Sequence, residues 1–80
     1  MFVRQFHVKN QFILEDKGST YFQSYNSIIA KRDINGVITL GNNWDYSKTT
    51  GRYRNLFLNE TKQETEKKIA SGIYKIDKNL

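Results

Sequence analysis

The chain has 80 residues, with 13 Lys and Arg against eight Asp and Glu for a formal net charge of +5, and it has no cysteine. That length holds one small domain, residues 1–80, burying about 60–65% of the surface its unfolded form exposes. Lack of cysteine excludes disulfides and thiolate metal sites, and no apolar run approaches the roughly 20 residues that span a bilayer.

A mean hydropathy of −0.71 is low for a sequence that must build a core. Five Phe, five Tyr and one Trp compensate, because each aromatic ring buries a large area. Met1–His7 alternates polar and apolar residues and carries no signal-peptide apolar block, so the expectation is a soluble, cytoplasmic chain with no membrane partner. The basic balance favours polyanionic partners.

In Phe2–Val8, Phe2, Phe6 and Val8 share one parity and His7 falls on the other, the period of a half-buried strand. Asn10-Gln11 reads as a turn, followed by the apolar run Phe12-Ile13-Leu14 and a hairpin loop ending at Gly18. Thr20–Tyr25 is rich in strand formers, and Asn26-Ser27 marks a bend or bulge before Ile28–Arg32. Asn35-Gly36 between β-branched runs predicts a tight hairpin leading into Val37–Leu40.

From Ser47, a good N-cap, the period becomes helical. Thr49, Tyr53, Leu56 and Phe57 then fall on one face, with Asn59 as the stop. Thr61 and Glu64 form a capping box for a second helix that ends at Ser71-Gly72, with Glu64 and Lys68 paired one turn apart and Thr65 and Ile69 on a narrow apolar face. Ile73–Ile76 alternates again as an edge strand. The order predicts an α+β domain: a small antiparallel sheet of about four to five strands, with two short consecutive helices before a final short strand.

Catalytic chemistry has little to build on. The one histidine, His7, reads as a surface or cross-strand residue, and Glu60, Glu64 and Glu66 read as capping and solvated groups. No metal site or cofactor is expected, and the chain reads as a non-enzyme. Binding is better supported. Lys31 and Arg32 precede one turn, Lys48, Arg52 and Arg54 lie in the first helix, and Tyr46 and Tyr53 are interleaved with those cations. Cations neutralise phosphates and aromatic rings stack on unpaired bases. The same stretch also reads as a core of Trp44, Tyr53, Leu56 and Phe57 with Lys48, Arg52 and Arg54 as a solvated outer face.

The pattern Trp44-Asp45-Tyr46-Ser47-x-Thr49-Thr50-x-x-Tyr53-Arg54-x-x-Phe57-Leu58, followed by Glu60-Thr61-x-x-Glu64-Thr65 and Ser71-Gly72-x-Tyr74, resembles a family of small bacteriophage and mobile-element proteins of unassigned function. Asn59 stands where that pattern has glycine, and Asn also adopts the left-handed C-cap. The resemblance implies an accessory factor acting in the host bacterial cytoplasm. Its expected role is an anti-CRISPR-type inhibitor of an RNA-guided nuclease, with a host effector protein or nucleoprotein complex as partner. The alternatives are a small basic nucleic-acid-binding protein of phage transcription or replication, and a homo-oligomeric structural module, so that monomer and homodimer both stay open. The residues expected to make contact are Lys31, Arg32, Tyr46, Lys48, Arg52 and Arg54.

Overall fold

A computed structural model describes residues 1–80. In chain order it contains β1 (Phe2–Phe6), β2 (Val8–Asp16), β3 (Ser19–Ser24), β4 (Ser27–Arg32), β5 (Ile38–Gly41), α1 (Lys48–Leu58), α2 (Lys62–Ala70) and β6 (Lys75–Asp77). The six strands form one sheet in sequential order. Neighbours from β1 to β5 are antiparallel, whereas β6 joins β5 in parallel through Thr39↔Lys75 and Leu40↔Ile76. The fold is therefore the expected α+β arrangement, with six strands where four or five were read.

Backbone chemistry at the turns explains the register. Lys17 and Gly18 both take positive φ between the paired Asp16 and Ser19, the geometry of the favoured two-residue hairpin. Asn10-Gln11 is not a turn. β2 runs through both residues, with Asn10 at φ 69° in an irregular stretch, and the chain reverses at His7, whose φ is 66°. The Asn35-Gly36 hairpin is also looser than expected. Arg32↔Ile38 closes a five-residue loop in which the Asp33 carboxylate accepts from the backbone N–H groups of Asn35 and Val37 at 2.8 and 2.9 Å. Only Gly36 takes positive φ there, so Asp33 organises the loop in place of an Asn-Gly turn. Gly41 has a different duty: a Cβ at this position would collide with the Ile28 carbonyl oxygen, so glycine lets β5 end close against β4.

One face of the sheet carries the core. Ile13, Phe22, Ala30 and Leu40 are cross-strand neighbours and all are buried. Tyr53, Phe57 and Leu58 of α1 pack onto them with Ile29, Ile38 and Tyr74, while Phe6, Trp44 and Ile69 close the margins. Phe22 and Phe57 stack at 5.8 Å between ring centroids, and Phe6 meets both rings edge-on. Phe2, expected on the buried parity, is instead exposed at the open edge.

The buried stripe of α1 is Thr50, Tyr53, Arg54, Phe57 and Leu58, at i, i+3, i+4, i+7 and i+8. Thr49 and Leu56 therefore lie outside it, one residue off the expected phase, and Leu56 is half exposed. Ser47 caps the helix as read, accepting from the Thr50 N–H at 3.1 Å, and Asn59 closes it at φ 56°, ψ 49°. The Thr61–Glu64 capping box is formed in both directions.

Glu60 is not a solvated carboxylate. Its side chain is 3% exposed and accepts from the Thr65 hydroxyl, the Lys68 ammonium at 2.7 Å and the Tyr74 hydroxyl at 2.8 Å. Lys68 thus pairs with Glu60 and not, as expected, with Glu64. These bonds tie α2 and the approach to β6 onto the end of α1. Burial pushes the Glu60 carboxyl up, but donation from Lys68, Thr65 and Tyr74 outweighs it and holds the group below the ordinary carboxylate range. A depressed folded-state value makes the carboxylate stabilising above the unfolded value of about 4.3, and that contribution disappears as pH falls through the folded value. Chemical denaturation followed across pH will show stability falling below about pH 4, and Glu60→Gln will flatten that fall while lowering stability at pH 7.

Candidate functional site

Two concavities lie beside the first turn of α1, and Arg54 lines one of them. Its side chain is only 1% exposed. One terminal nitrogen donates to the Trp44 carbonyl at 2.8 Å and to the Asp45 carboxylate at 3.3 Å, and the other donates to the Asn55 side-chain oxygen at 3.0 Å. The guanidinium also lies 5.2 Å from the Trp44 ring centroid. Arg54 is therefore an internal strut that fixes the connection between β5 and α1, and the expectation of a solvated contact residue is corrected by its burial.

On one side of this strut is a groove of about 590 Å³ lined by no hydrophobic residue. Lys48, Gly51, Arg52 and Asn55 supply the α1 wall, Lys62 comes from the start of α2, and Asp45 sits between. Asp45 holds Lys62 at 2.7 Å and Arg54 at 3.3 Å. The hydrogen bond from Lys62 draws the Asp45 carboxyl below its ordinary range; burial opposes this, and Arg54 adds to the lowering. Four cations thus face one already shared carboxylate. Lys48 and Arg52 are exposed and have no carboxylate partner. The first turn of α1 contains no acidic residue, which leaves the positive end of its dipole uncompensated. Chemically, the groove is suited to holding anionic oxygens.

On the other side is a cleft of about 430 Å³ between the β3–β4 turn and the start of α1, lined by Ser24, Tyr25, Asn26, Ser27, Ile29, Asn43, Tyr46 and Thr50. Tyr46 is 73% exposed at its lip. The Ser24 and Thr50 hydroxyls share a hydrogen bond of 2.9 Å, and the Asn43 amide donates to the Ser27 hydroxyl at 3.1 Å.

Of the six expected contact residues, the structure brings Lys48 and Arg52 together in the groove and sets Tyr46 beside it, with Arg54 beneath. Lys31 and Arg32 are elsewhere. Lys31 lies 5.7 Å from the Tyr21 ring centroid, on the sheet face opposite α1. Arg32 spans the helix side, where it donates to the Phe57 carbonyl at 2.9 Å and lies 4.6 Å from the Phe57 ring centroid. It thereby satisfies a carbonyl in the last turn of α1, a structural duty. Lys62 and Tyr25, which the sequence reading did not select, complete the two concavities. Lys62 is the first residue after a legible N-cap, but its approach to Asp45 depends on how the two helices pack. His7, read as a surface residue, is exposed yet stacks on the Tyr53 ring at 6.2 Å.

A protein-family model matches residues 3–72. The chain belongs to DUF8033, a family of unknown function. The matched DUF8033 segment runs from β1 to just past α2, so the groove and the cleft both lie within it and β6 lies beyond it. No curated protein and no solved structure matches the chain. No helix is long and apolar enough to cross a membrane.

The strut and the groove cations separate on stability. Arg54→Ala will cost about 2–4 kcal/mol, because it removes the packing over Trp44 and leaves buried acceptors unpaired. Arg52→Ala will stay within about 0.5 kcal/mol of wild type. Urea denaturation of the two variants measures the contrast.

Proposed function

We propose that this protein is a non-enzymatic binding protein whose basic groove engages the phosphate backbone of a nucleic acid. The observation that carries the reading is the convergence of Lys48, Arg52 and Lys62 on one groove without hydrophobic residues, beside a helix start whose first turn has no acid. Lys48 and Arg52 have no internal carboxylate to satisfy, so a bound phosphate would replace solvent and counterions and not an existing ion pair. The formal charge of +5 steers the same class of partner from a distance. Binding will therefore weaken linearly on a log–log salt plot. Changing both Lys48 and Arg52 to Ala will reduce the slope by about two, with the melting temperature unchanged. A slope that is flat for the wild type, or identical in the double variant, would remove the groove from the reading.

A second reading places the same groove in a host-defence setting. The resemblance of Trp44–Leu58 to small phage proteins supports a factor that obstructs an RNA-guided nuclease, and a basic surface would meet such an effector at its nucleic acid or at an acidic protein face. Mimicry of DNA by acidic side chains is disfavoured by the charge balance. In a plasmid-interference assay, expression of the wild-type protein will restore plasmid survival and the Lys48/Arg52 double-alanine variant will not. Full interference in the presence of the wild-type protein would defeat this reading for the effector tested.

A further inference from the structure

We infer that the cleft beside the groove receives an unpaired nucleobase, so that the nucleic acid bound is a single strand; this deepens the nucleic-acid reading above and rests on it. The cleft differs from the groove in kind. No Lys, Arg, Asp or Glu lines it; Tyr25 and Tyr46 line it with their rings, the paired Ser24 and Thr50 hydroxyls lie at its floor, and Asn26 and Asn43 supply amides, that of Asn43 already donating to Ser27. Aromatic faces stack on bases of any sequence, and hydroxyls and amides hydrogen-bond to exposed base edges. A volume of about 430 Å³ lies within the range of pockets that hold small molecules.

Tyr25 gives the independent observation. It occupies the first position of the two-residue turn between the paired Ser24 and Ser27, at φ 55°. Hairpin turns ordinarily give a positive-φ position to glycine or asparagine, because a bulky side chain there is strained. The backbone is clamped: the Tyr25 N–H donates to the Asn10 carbonyl at 2.7 Å, and the Gln23 amide donates to the Tyr25 carbonyl at 2.6 Å. The fold gains little packing in return, since Tyr25 is 47% exposed. An aromatic ring held in a strained, half-exposed position against a cleft is explained by what the ring contacts in a complex.

The connectivity supplies the second half of a nucleotide. Tyr46 and Thr50 line the cleft, while Ser47, Lys48 and Gly51 line the groove, so the two concavities share the first turn of α1 as their partition. A strand crossing that turn sets a base on the tyrosine side and its phosphates on the lysine and arginine side.

Fluorescence anisotropy will decide this, with labelled single strands of about ten nucleotides in DNA and RNA forms, the matching duplex, and a mononucleotide competitor. The single strand will bind at least about tenfold more tightly than the duplex at equal salt. Tyr46→Ala and Tyr25→Asn will each weaken single-strand binding about 10- to 100-fold while leaving duplex binding nearly unchanged. Asparagine suits positive φ, so Tyr25→Asn will melt at or above the wild-type temperature, which separates lost binding from lost folding. Equal affinity for both forms, or wild-type binding by both tyrosine variants, overturns the base pocket while the groove reading stands. A mononucleotide competing as well as the strand overturns the strand. Absence of binding to every nucleic acid overturns both.

Discussion

A buried guanidinium determines how the second half of this protein is arranged. A charge taken out of water must be met by fixed dipoles or counter-charges, and Arg54 is met by the Trp44 carbonyl, the Asp45 carboxylate and the Asn55 amide oxygen. Two of those three partners belong to the connection that leaves β5. The helix and its preceding loop are therefore one rigid unit, pinned from inside. A lysine could not serve the same role, because the fork geometry delivers bonds in two directions while its flat face lies against Trp44.

This strut also accounts for the unequal character of the two concavities. Asp45, held by Arg54, draws in Lys62 and so brings the start of α2 beside α1. Tyr46, next in sequence, is left to project on the other side. One residue pair thus sends positive charge one way and an aromatic ring the other. Thr50 and Ser47 complete the partition, since the hydroxyl that caps the helix also donates to the hydroxyl at the floor of the cleft.

Much of the architecture was legible because it is local. The Ser47 cap, the Asn59 stop and the Thr61–Glu64 box are each written within four residues and form as expected. The hairpin loop ends at Gly18 as expected but is tightened to Lys17-Gly18, because Glu15 and Asp16 pair within the sheet. Errors arose where charge hides burial. Taking Arg54 as solvated removed it from the apolar stripe of α1, and the remaining residues then fitted a face one position away, with Leu56 in place of Leu58. Glu60 and Arg32 misled for the same reason: their partners, Tyr74 and the Phe57 carbonyl, are distant in sequence. Lys48 and Arg52 stay exposed and without a carboxylate partner, a placement that follows from the helical period alone, and Arg52 lies 5.8 Å from the Tyr53 ring centroid. Tyr25 was passed over because Asn26-Ser27 marks the bend in the sequence, whereas the closed hairpin turns one residue earlier, at Tyr25-Asn26, and gives Tyr25 the positive φ.

The parallel seating of β6 sets an order on assembly. Strands β1 to β5 form a meander in which each pairing joins neighbours in the chain, so these contacts close small loops at little entropic cost. β6 reaches Thr39–Gly41 only after the chain has passed through both helices, and it brings just three residues to the pairing. The meander is therefore the early part of the molecule, and β6, whose three residues are all exposed, is the part whose docking comes late and whose opening costs least. The groove lies entirely on the crossover that β6 closes and the cleft partly so, and an occupant at the proposed site would therefore lend that closure kinetic persistence.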